Sequence, residues 1–348
     1  MSGSSDEAIT SRLRDAALHR VSLSAANEMG RVNAWIVDDD PLTLVDAGTR
    51  GPGAIEALDA GFRAIGRRVE DVGLVVLTHQ HTDHLGLVAE VVRRSGADVA
   101  AFGSIGPYLG DFEAEAALDR AFMADLLRRH GATDEAVAGN TAGWAAFHRV
   151  GEAATVTVPL AAGSRLTLRD RTLEVLHRPG HSETDVLLVD AERRMLLGGD
   201  HLLRAVPSVP VRDRPLPAGD GARPYVPEVD DVAVTVRYRE SLRATRPLPV
   251  DLVLPGHGGA FADPAAVVVS HLERQRSDAE GLLRRAGAEP FTAAGLATEI
   301  WPQAPATLAH VLLSSVLGGL GLLRADGLVE TLPPDDAGVV RFVAPTAG

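Results

Sequence analysis

The sequence predicts an α/β protein with one large domain followed by a small one, and three observations carry that prediction. At 348 residues the chain is longer than one ordinary core fills, and an apolar fraction of 45% is ample for a packed interior. Apolar runs of strand length, at 74–77, 186–189, 195–199 and 252–254, end in polar or Pro-Gly turns. After residue 264 the pattern changes to a mainly helical one.

Composition narrows the class. The formal charge is −13, from 34 basic and 47 acidic residues, and every basic side chain other than histidine is arginine. Non-specific nucleic-acid and membrane binding rest on basic surfaces, so this balance argues against both. The absence of cysteine excludes disulfides and thiolate metal ligands. Ser2 to Arg20 mixes charges of both signs without an apolar stretch, which is not a secretory signal, and no run of eighteen apolar residues offers a membrane span. A cytoplasmic protein is the expectation.

Taken in order, residues 6–19 read as a short amphipathic helix. Segments 32–37 and 42–46 read as two strands of a hairpin joined by Asp38-Asp39-Asp40-Pro41, with Asp46 closing the second. A helix over 52–66 precedes the strand at 74–77, and 86–94 is helical, followed by a strand at 99–102. Residues 105–150 break this rhythm: they are helical in pattern and carry Tyr108, Phe112, Phe122, Met123, Trp144 and Phe147. An inserted helical arm of this kind can cover a site and shape its pocket, or form a packing layer. Strands follow at 155–159, 165–169 and 172–176. The tail reads as helices at 264–285, from Phe291, and at 305–324, then a hairpin from Gly327–Glu330 to Val339–Val343.

The strand ends carry the chemistry. Leu74 to Leu77 leads into His79, His81, Asp83 and His84, and open α/β sheets place ligands where strands end. The same construction recurs three times. Pro179-Gly180 delivers His181, Gly198-Gly199 delivers Asp200, and Pro255-Gly256 delivers His257. Five imidazoles and two carboxylates at equivalent positions point to one shared site, and imidazole with carboxylate suits zinc, iron or manganese. His79, His81 and His181 can hold one ion, Asp83, His84 and His257 a second, and Asp200 can bridge them. Asp46 at a strand end can orient a metal-bound histidine or simply cap a turn. His201 and His177 flank ligands, where either can meet an oxyanion or point to the opposite face. His19, His130, His148, His271 and His310 read as core or surface residues.

The HxHxDH motif, the Pro-Gly-His turn, the Gly-Asp strand end and the final Pro-Gly-His-Gly turn, in this order over about residues 30–260, resemble the metallo-β-lactamase superfamily. That resemblance implies an αββα sandwich of two mixed sheets with helices outside and metals at one edge, and it implies the same ligand set, with Asp46 as a supporting acid. It also implies a division into residues 1–264, a catalytic domain with its insert at about 105–150, and residues 265–348. The tail is similar to a subfamily with a small C-terminal winged-helix module, in which Asp200-His201-Leu202-Leu203 and His271-Leu272-Glu273-Arg274 have counterparts. Residues 272–348 carry six arginines against nine acids, so such a module reads as a cover or homodimer contact rather than a nucleic-acid binder.

The resemblance implies a metal-dependent hydrolase. A hydroxide held between two divalent cations, zinc first with iron or manganese as alternatives, attacks a thioester, ester or lactone, with Asp83 as ligand and proton shuttle. The substrate expected is a small-molecule or carrier-linked acyl group, and Arg178, Arg204 and Arg212 are candidates to meet an anionic part of it. An endoribonuclease or phosphodiesterase using the same metals is the alternative, and a non-haem iron sulfur dioxygenase a smaller one. Lack of cysteine departs from the thiolate-ligand lactamases. Lack of lysine departs from glyoxalase-II-type enzymes, and lack of a tyrosine soon after Asp200 from acyl-homoserine lactonases.

Overall fold

A computed structural model of the chain describes residues 3–24, 30–206, 208–216, 225–287 and 289–344. The chain forms two compact units. The first comprises Met1–Glu115, Phe147–Ser208 and Thr245–Val268. The second comprises Ala116–Ala146, Val209–Ala244 and Val269–Gly348.

The first unit is built on two six-stranded sheets. Strands β1 (Leu18–Ser24), β2 (Arg31–Val37), β3 (Thr43–Val45), β4 (Leu74–Val76), β5 (Asp98–Phe102) and β6 (Val158–Leu160) lie side by side in that order. The pairs β1/β2 and β2/β3 are antiparallel, and β3 to β6 run parallel. The second sheet takes β7 (Arg165–Thr167), β8 (Thr172–His177), β9 (Val186–Asp190), β10 (Met195–Gly199), β11 (Leu252–Pro255) and β12 (Phe261–Ala262), again side by side in order. Its β10/β11 pair alone is parallel.

The strands are hydrophobic on both faces, and the period of two in a pleated strand assigns each face. Leu74, Val76, Leu173, Val175, Val186, Leu188, Met195, Leu197, Leu252 and Leu254 share one core between the sheets. The alternate residues Val75, Leu196 and Val253 are equally buried but lie outside that cluster. Buried residues on the helices Ala54–Ala64 (Leu58, Phe62) and Val88–Ser95 (Val88, Val91) form part of the outer helical layer. The expected αββα sandwich with two mixed sheets is thus the architecture of this unit.

The N-terminal helix is shorter than the 6–19 expected. It covers Gly3–Asp15, and Ala17 then takes a positive φ of 52° before β1 begins. Position 17 carries no glycine to announce this turn in the sequence. The acidic turn of the β2/β3 hairpin serves the fold through Asp39. Its carboxylate receives Arg171 Nε at 2.9 Å, while Arg171 donates to the Ala16 carbonyl at 2.7 Å. Both side chains are buried.

The arm at 105–150 is helical, over Ile105–Gly110, Phe112–Arg129 and Asp134–His148. Its aromatics are engaged in packing. Within the first unit Tyr108, Phe112 and His148 meet edge to face, at 5.8 and 6.2 Å between centroids. Within the second, Trp144 meets His310 edge to face at 5.8 Å.

The second unit contains the helices of the tail, Pro264–Leu283 in its greater part, Ala293–Ile300 and Ala309–Ala325, and a small antiparallel pair, β13 (Glu330–Thr331) and β14 (Phe342–Val343). Thr292 caps the second of these helices through the Gly295 N–H. These elements do not close a core of their own. Leu126, Leu127 and Val137 of the arm join Leu313, Val316, Leu317, Leu320 and Phe342 in one cluster. The unit therefore takes in 116–146 and 209–244, a different division from a single cut at residue 264. Residues 306–325 are long and apolar enough, by length and composition, to cross a membrane, although no uninterrupted apolar run marks them in the sequence. In the structure Leu313, Val316, Leu317, Leu320 and Leu323 of this helix are core residues.

Candidate metal centre

Strand polarity brings seven ligand-type residues to one edge of the first unit. β10 and β11 run parallel, so Asp200 and His257 leave adjacent strand ends, tied by the Gly256 N–H to Gly199 carbonyl bond at 2.7 Å. β9 is antiparallel to β10, which sets the β8–β9 turn with His181 at the same edge. In the other sheet β3 and β4 run parallel, so Asp46 and the 79–84 stretch emerge together. The Val186 N–H donates to the Thr78 carbonyl at 2.9 Å and joins the two sheets there.

Three groups of ligand atoms converge: His79, His81 and His181; Asp83, His84 and His257; and His79, His84 and Asp200. Within each group these atoms lie within 4.8 Å of one another. His81 Nδ1 is 2.9 Å from His181 Nε2. His257 Nε2 is 3.4 Å from Asp83 Oδ2. Asp200 faces both sides, with Oδ1 3.5 Å from His84 Nε2 and Oδ2 3.7 Å from His181 Nε2 and 3.2 Å from His257 Nε2. The backbone at Gly256 permits this approach: a Cβ there would collide with Asp200 Oδ1 and stand 2.7 Å from His84 Cε1.

The outer nitrogens of the imidazoles are held from behind. His84 Nδ1 donates to Asp46 Oδ2 at 2.8 Å, and His257 Nδ1 donates to the Arg31 carbonyl at 2.7 Å. His79 Nδ1 meets Thr78 Oγ1 at 2.9 Å. Asp46 also accepts the Thr78 N–H and hydroxyl, at 2.9 and 2.8 Å, and adopts a positive φ of 58°. Asp tolerates that conformation better than most residues, and strain of this kind gathers at functional sites.

Electrostatics agree with a cation-seeking cage. Burial and the neighbouring imidazoles hold His79 well below the usual histidine value. Burial opposes charge on His84, but Asp200, Asp46 and Asp83 raise it well above that value. His257 is raised to about 10 against burial, chiefly by Asp200. Asp200 stays far below the carboxylate range despite burial, through His84 and His257.

A fit to metal ions follows from unsatisfied atoms. His79 Nε2, Asp83 Oδ2, His84 Nε2, Asp200 Oδ1 and His257 Nε2 are buried without a hydrogen-bond partner among the described residues. An orphaned buried polar group costs roughly 1–3 kcal/mol, and five in one cluster are explained by cations that take their lone pairs. The donor set, imidazole and carboxylate in three groups that overlap at His79 and His84, is consistent with a dinuclear site.

A family model described as the metallo-beta-lactamase superfamily matches residues 28–257. The chain belongs to that superfamily. It is similar to "Probable metallo-hydrolase YqjP" of Bacillus subtilis, 28% identical over 306 residues, which are 87% of this chain and 91% of that protein. It is also 28% identical to "Acyl-coenzyme A thioesterase MBLAC2" of Homo sapiens over 176 residues, 49% of this chain and 58% of that protein. A crystal structure of a metallo-beta-lactamase family protein from Thermus thermophilus shares the fold with a TM-score of 0.75 and 22% identity, over 94% of this chain and 99% of that one.

The remaining candidates have other surroundings in this superfamily member. His201 is buried, its Nε2 3.0 Å from Thr245 Oγ1, and it belongs to none of the three converging groups. His177 stacks on Phe102 at 4.1 Å and its Nε2 donates to the Glu183 carbonyl. Arg204 is exposed, and Arg178 donates to its neighbour's carbonyl at 3.0 Å. Arg212 is buried in the second unit, its guanidinium 5.1 Å from the Tyr225 centroid and 5.6 Å from that of Phe122. There it makes cation–π contacts and faces the buried Asp231 carboxylate, its Nε 3.7 Å from Asp231 Oδ1. His19, His130, His148, His271 and His310 take no place in the converging groups.

Two supporting residues escaped the sequence. Thr78 links Asp46 to His79, as described. Asp185 shapes the His181 turn: its carboxylate accepts the N–H of His181 at 2.9 Å, the N–H of Ser182 at 3.0 Å and the Ser182 hydroxyl at 2.6 Å. Burial pushes Asp185 up to about 7 against those donors. The Ser-x-x-Asp spacing at 182–185 was the available signal, since a carboxylate three residues on can reach back to such a turn.

Proposed function

We propose that this chain is a metal-dependent hydrolase that cleaves an acyl thioester, with esters and lactones as neighbouring substrates. The observation that carries the reading is the convergence of three ligand groups, in which His79, His84 and Asp200 form a set that shares His79 with the His81/His181 group and His84 with the Asp83/His257 group, together with five buried polar atoms that lack partners among the described residues. Two curated relatives support it by name, a probable metallo-hydrolase and an acyl-coenzyme A thioesterase.

In this reading His79, His81 and His181 would hold one divalent cation, Asp83, His84 and His257 would hold a second, and Asp200 would serve as a further ligand between the two groups. Zinc fits the histidine-rich set, with iron or manganese as alternatives. When bound, such a pair supplies Lewis-acid polarisation of the scissile carbonyl and lowers the pKa of water toward neutrality. The protein's own part is positional and protonic. Asp46 and the Arg31 carbonyl fix the tautomers of His84 and His257, so that Nε2 of each faces inward. Asp83 is the group placed to accept a proton and return it to the leaving thiol or alcohol. Asp185 holds the His181 turn in register. No serine or cysteine nucleophile is needed.

The net charge of −13 speaks against a polyanionic substrate. Three helices and the β13/β14 pair support reading residues 265–348 as a winged-helix-like module, and its six arginines against nine acids favour a dimer contact over nucleic acid. The test is a panel of acyl-CoA thioesters, p-nitrophenyl esters, lactones, bis-p-nitrophenyl phosphate and single-stranded RNA on zinc- and manganese-loaded protein. Thioester turnover that disappears on chelation is expected. Turnover of the phosphodiester or RNA alone would displace the proposal.

A further inference from the structure

The second unit contains a cavity of about 480 Å³, within the size range of small-molecule pockets, roughly 300–1,000 Å³. The helix Val234–Thr245 presents Arg239 and Arg243 to it, one turn apart. The helix Pro264–Leu283 adds Arg276, and Leu283, Leu322 and Leu323 give it an apolar wall. Arg239 is half-buried while Arg243 and Arg276 are exposed, so the charge of Arg239 is the one whose repulsion from its neighbours is least screened by water. Burial and then the neighbouring Arg243 hold Arg239 below the usual arginine value; Asp326 opposes this and Arg276 adds to it.

The acids of the cavity do not balance the arginines. Glu280 and Asp326 are two carboxylates against three guanidiniums, and Glu280 is paired along its own helix with Arg276 at 3.1 Å. Arg239 spends one nitrogen on the Leu272 carbonyl at 2.7 Å and on Gln275 at 3.3 Å. Arg243 has no hydrogen-bond or ion-pair partner among the described residues. A local excess of positive charge is the less expected in a chain with a net charge of −13.

The geometry points to a binding site in this cavity for an amphiphile with one anionic head and an aliphatic chain, the head at Arg239 and Arg243 and the chain along Leu322 and Leu323. Guanidinium forks match a carboxylate or a phosphate in a bidentate way, and leucine walls reward the chain by removing it from water. The site uses none of the metal-centre residues and stands independently of the hydrolase proposal.

The experiment is calorimetric titration of the full chain with decanoate, decyl phosphate, decanol and decyltrimethylammonium, on wild type and on Arg243→Glu and Arg243→Lys variants. Position 243 is exposed, so charge reversal there leaves the fold intact. The expected result is one site per chain for decanoate or decyl phosphate, the tighter of the two identifying the head. Decanol and the cationic amphiphile bind at least about tenfold more weakly, a difference near 1.4 kcal/mol. Arg243→Glu weakens the anion by at least the same factor while Arg243→Lys retains binding. Failure of both anions to bind overturns the inference, and so does equal binding of decanol or indifference to Arg243→Glu.

Discussion

Asp46 Oδ2 lies 2.8 Å from His84 Nδ1, and it reaches that position with a backbone φ of 58°. The carboxylate also takes both donors of Thr78, so three hydrogen bonds secure a conformation that an L-residue otherwise avoids. In return His84 is locked with Nε2 inward. Replacing Asp46 with Asn keeps the size and the tolerance of a left-handed backbone but removes the charged acceptor. Metal content measured by atomic emission is expected to drop, and activity to fall about 10–100-fold, as for other residues that orient metal-bound histidines. Full metal content and full activity in Asp46→Asn would remove the orienting role.

Gly256 tests the close packing of the cage. Alanine there drives a methyl into Asp200 Oδ1, whereas Gly51 has open space around it and no left-handed φ. Gly256→Ala is expected to lose at least one cation per chain and to melt earlier, by a ΔΔG of about 1–3 kcal/mol for an overpacked site. Gly51→Ala should leave both properties alone. Equal behaviour of the two variants in calorimetry and metal analysis would show that the site tolerates a wider cradle.

Chelation should separate cage from scaffold. Ligands bound only by the folded state stabilise it by about 4 kcal/mol at a thousandfold excess over Kd. Stripped protein is therefore expected to melt at a lower temperature yet to keep its circular dichroism, because the core between the sheets is apolar and complete without the cage. Loss of the β-sheet signal on chelation would contradict this.

Asp39 carries the pH prediction. Burial resists its charge, but the Asp40 N–H, the Arg171 guanidinium and the Asp170 N–H outweigh burial and hold its carboxyl below the usual carboxylate value. A carboxyl depressed by folding lends stability above its unfolded pKa and loses it as pH falls through the folded one. Asp39→Asn removes the nearer carboxylate from the buried Arg171 and leaves it Asp190 at 3.7 Å, so it is expected to cost about 1–3 kcal/mol in urea unfolding at pH 7. The gap between wild type and variant should narrow below pH 4, as the wild-type carboxyl protonates. A gap unchanged from pH 7 down to pH 3 would assign the cost to packing alone.

Much of the converging His/Asp cluster was legible because each of its candidate ligands lies near the end of an apolar run, and strand ends in such sheets converge. Asp200 and His257 needed only the Gly-Asp and Pro-Gly-His punctuation. The support behind the ligands was less visible. Thr78 looked like strand residue and turn, and Asp185 sat four positions past its histidine, so only the folded turn reveals what it holds. In the fold, β1 was hidden because Ala17 turns the chain without a glycine, and Leu18, Val21 and Leu23, its buried residues, break strict alternation. The helical regions were legible as helices but not in their company. The cluster that joins Leu126 and Val137 to Leu317 depends on contacts between distant segments, which periodicity does not encode.

His201 and Thr245 stand 44 positions apart in the chain and 3.0 Å apart in space. The polypeptide that departs just after Asp200 thus comes home beside its starting point before supplying His257. The two strands that flank this excursion pair with each other directly, and the Gly256 N–H to Gly199 carbonyl bond closes it at its base. The pairing of β10 with β11 and the His201–Thr245 contact thus fix the spacing of Asp200 and His257 at both ends of the excursion.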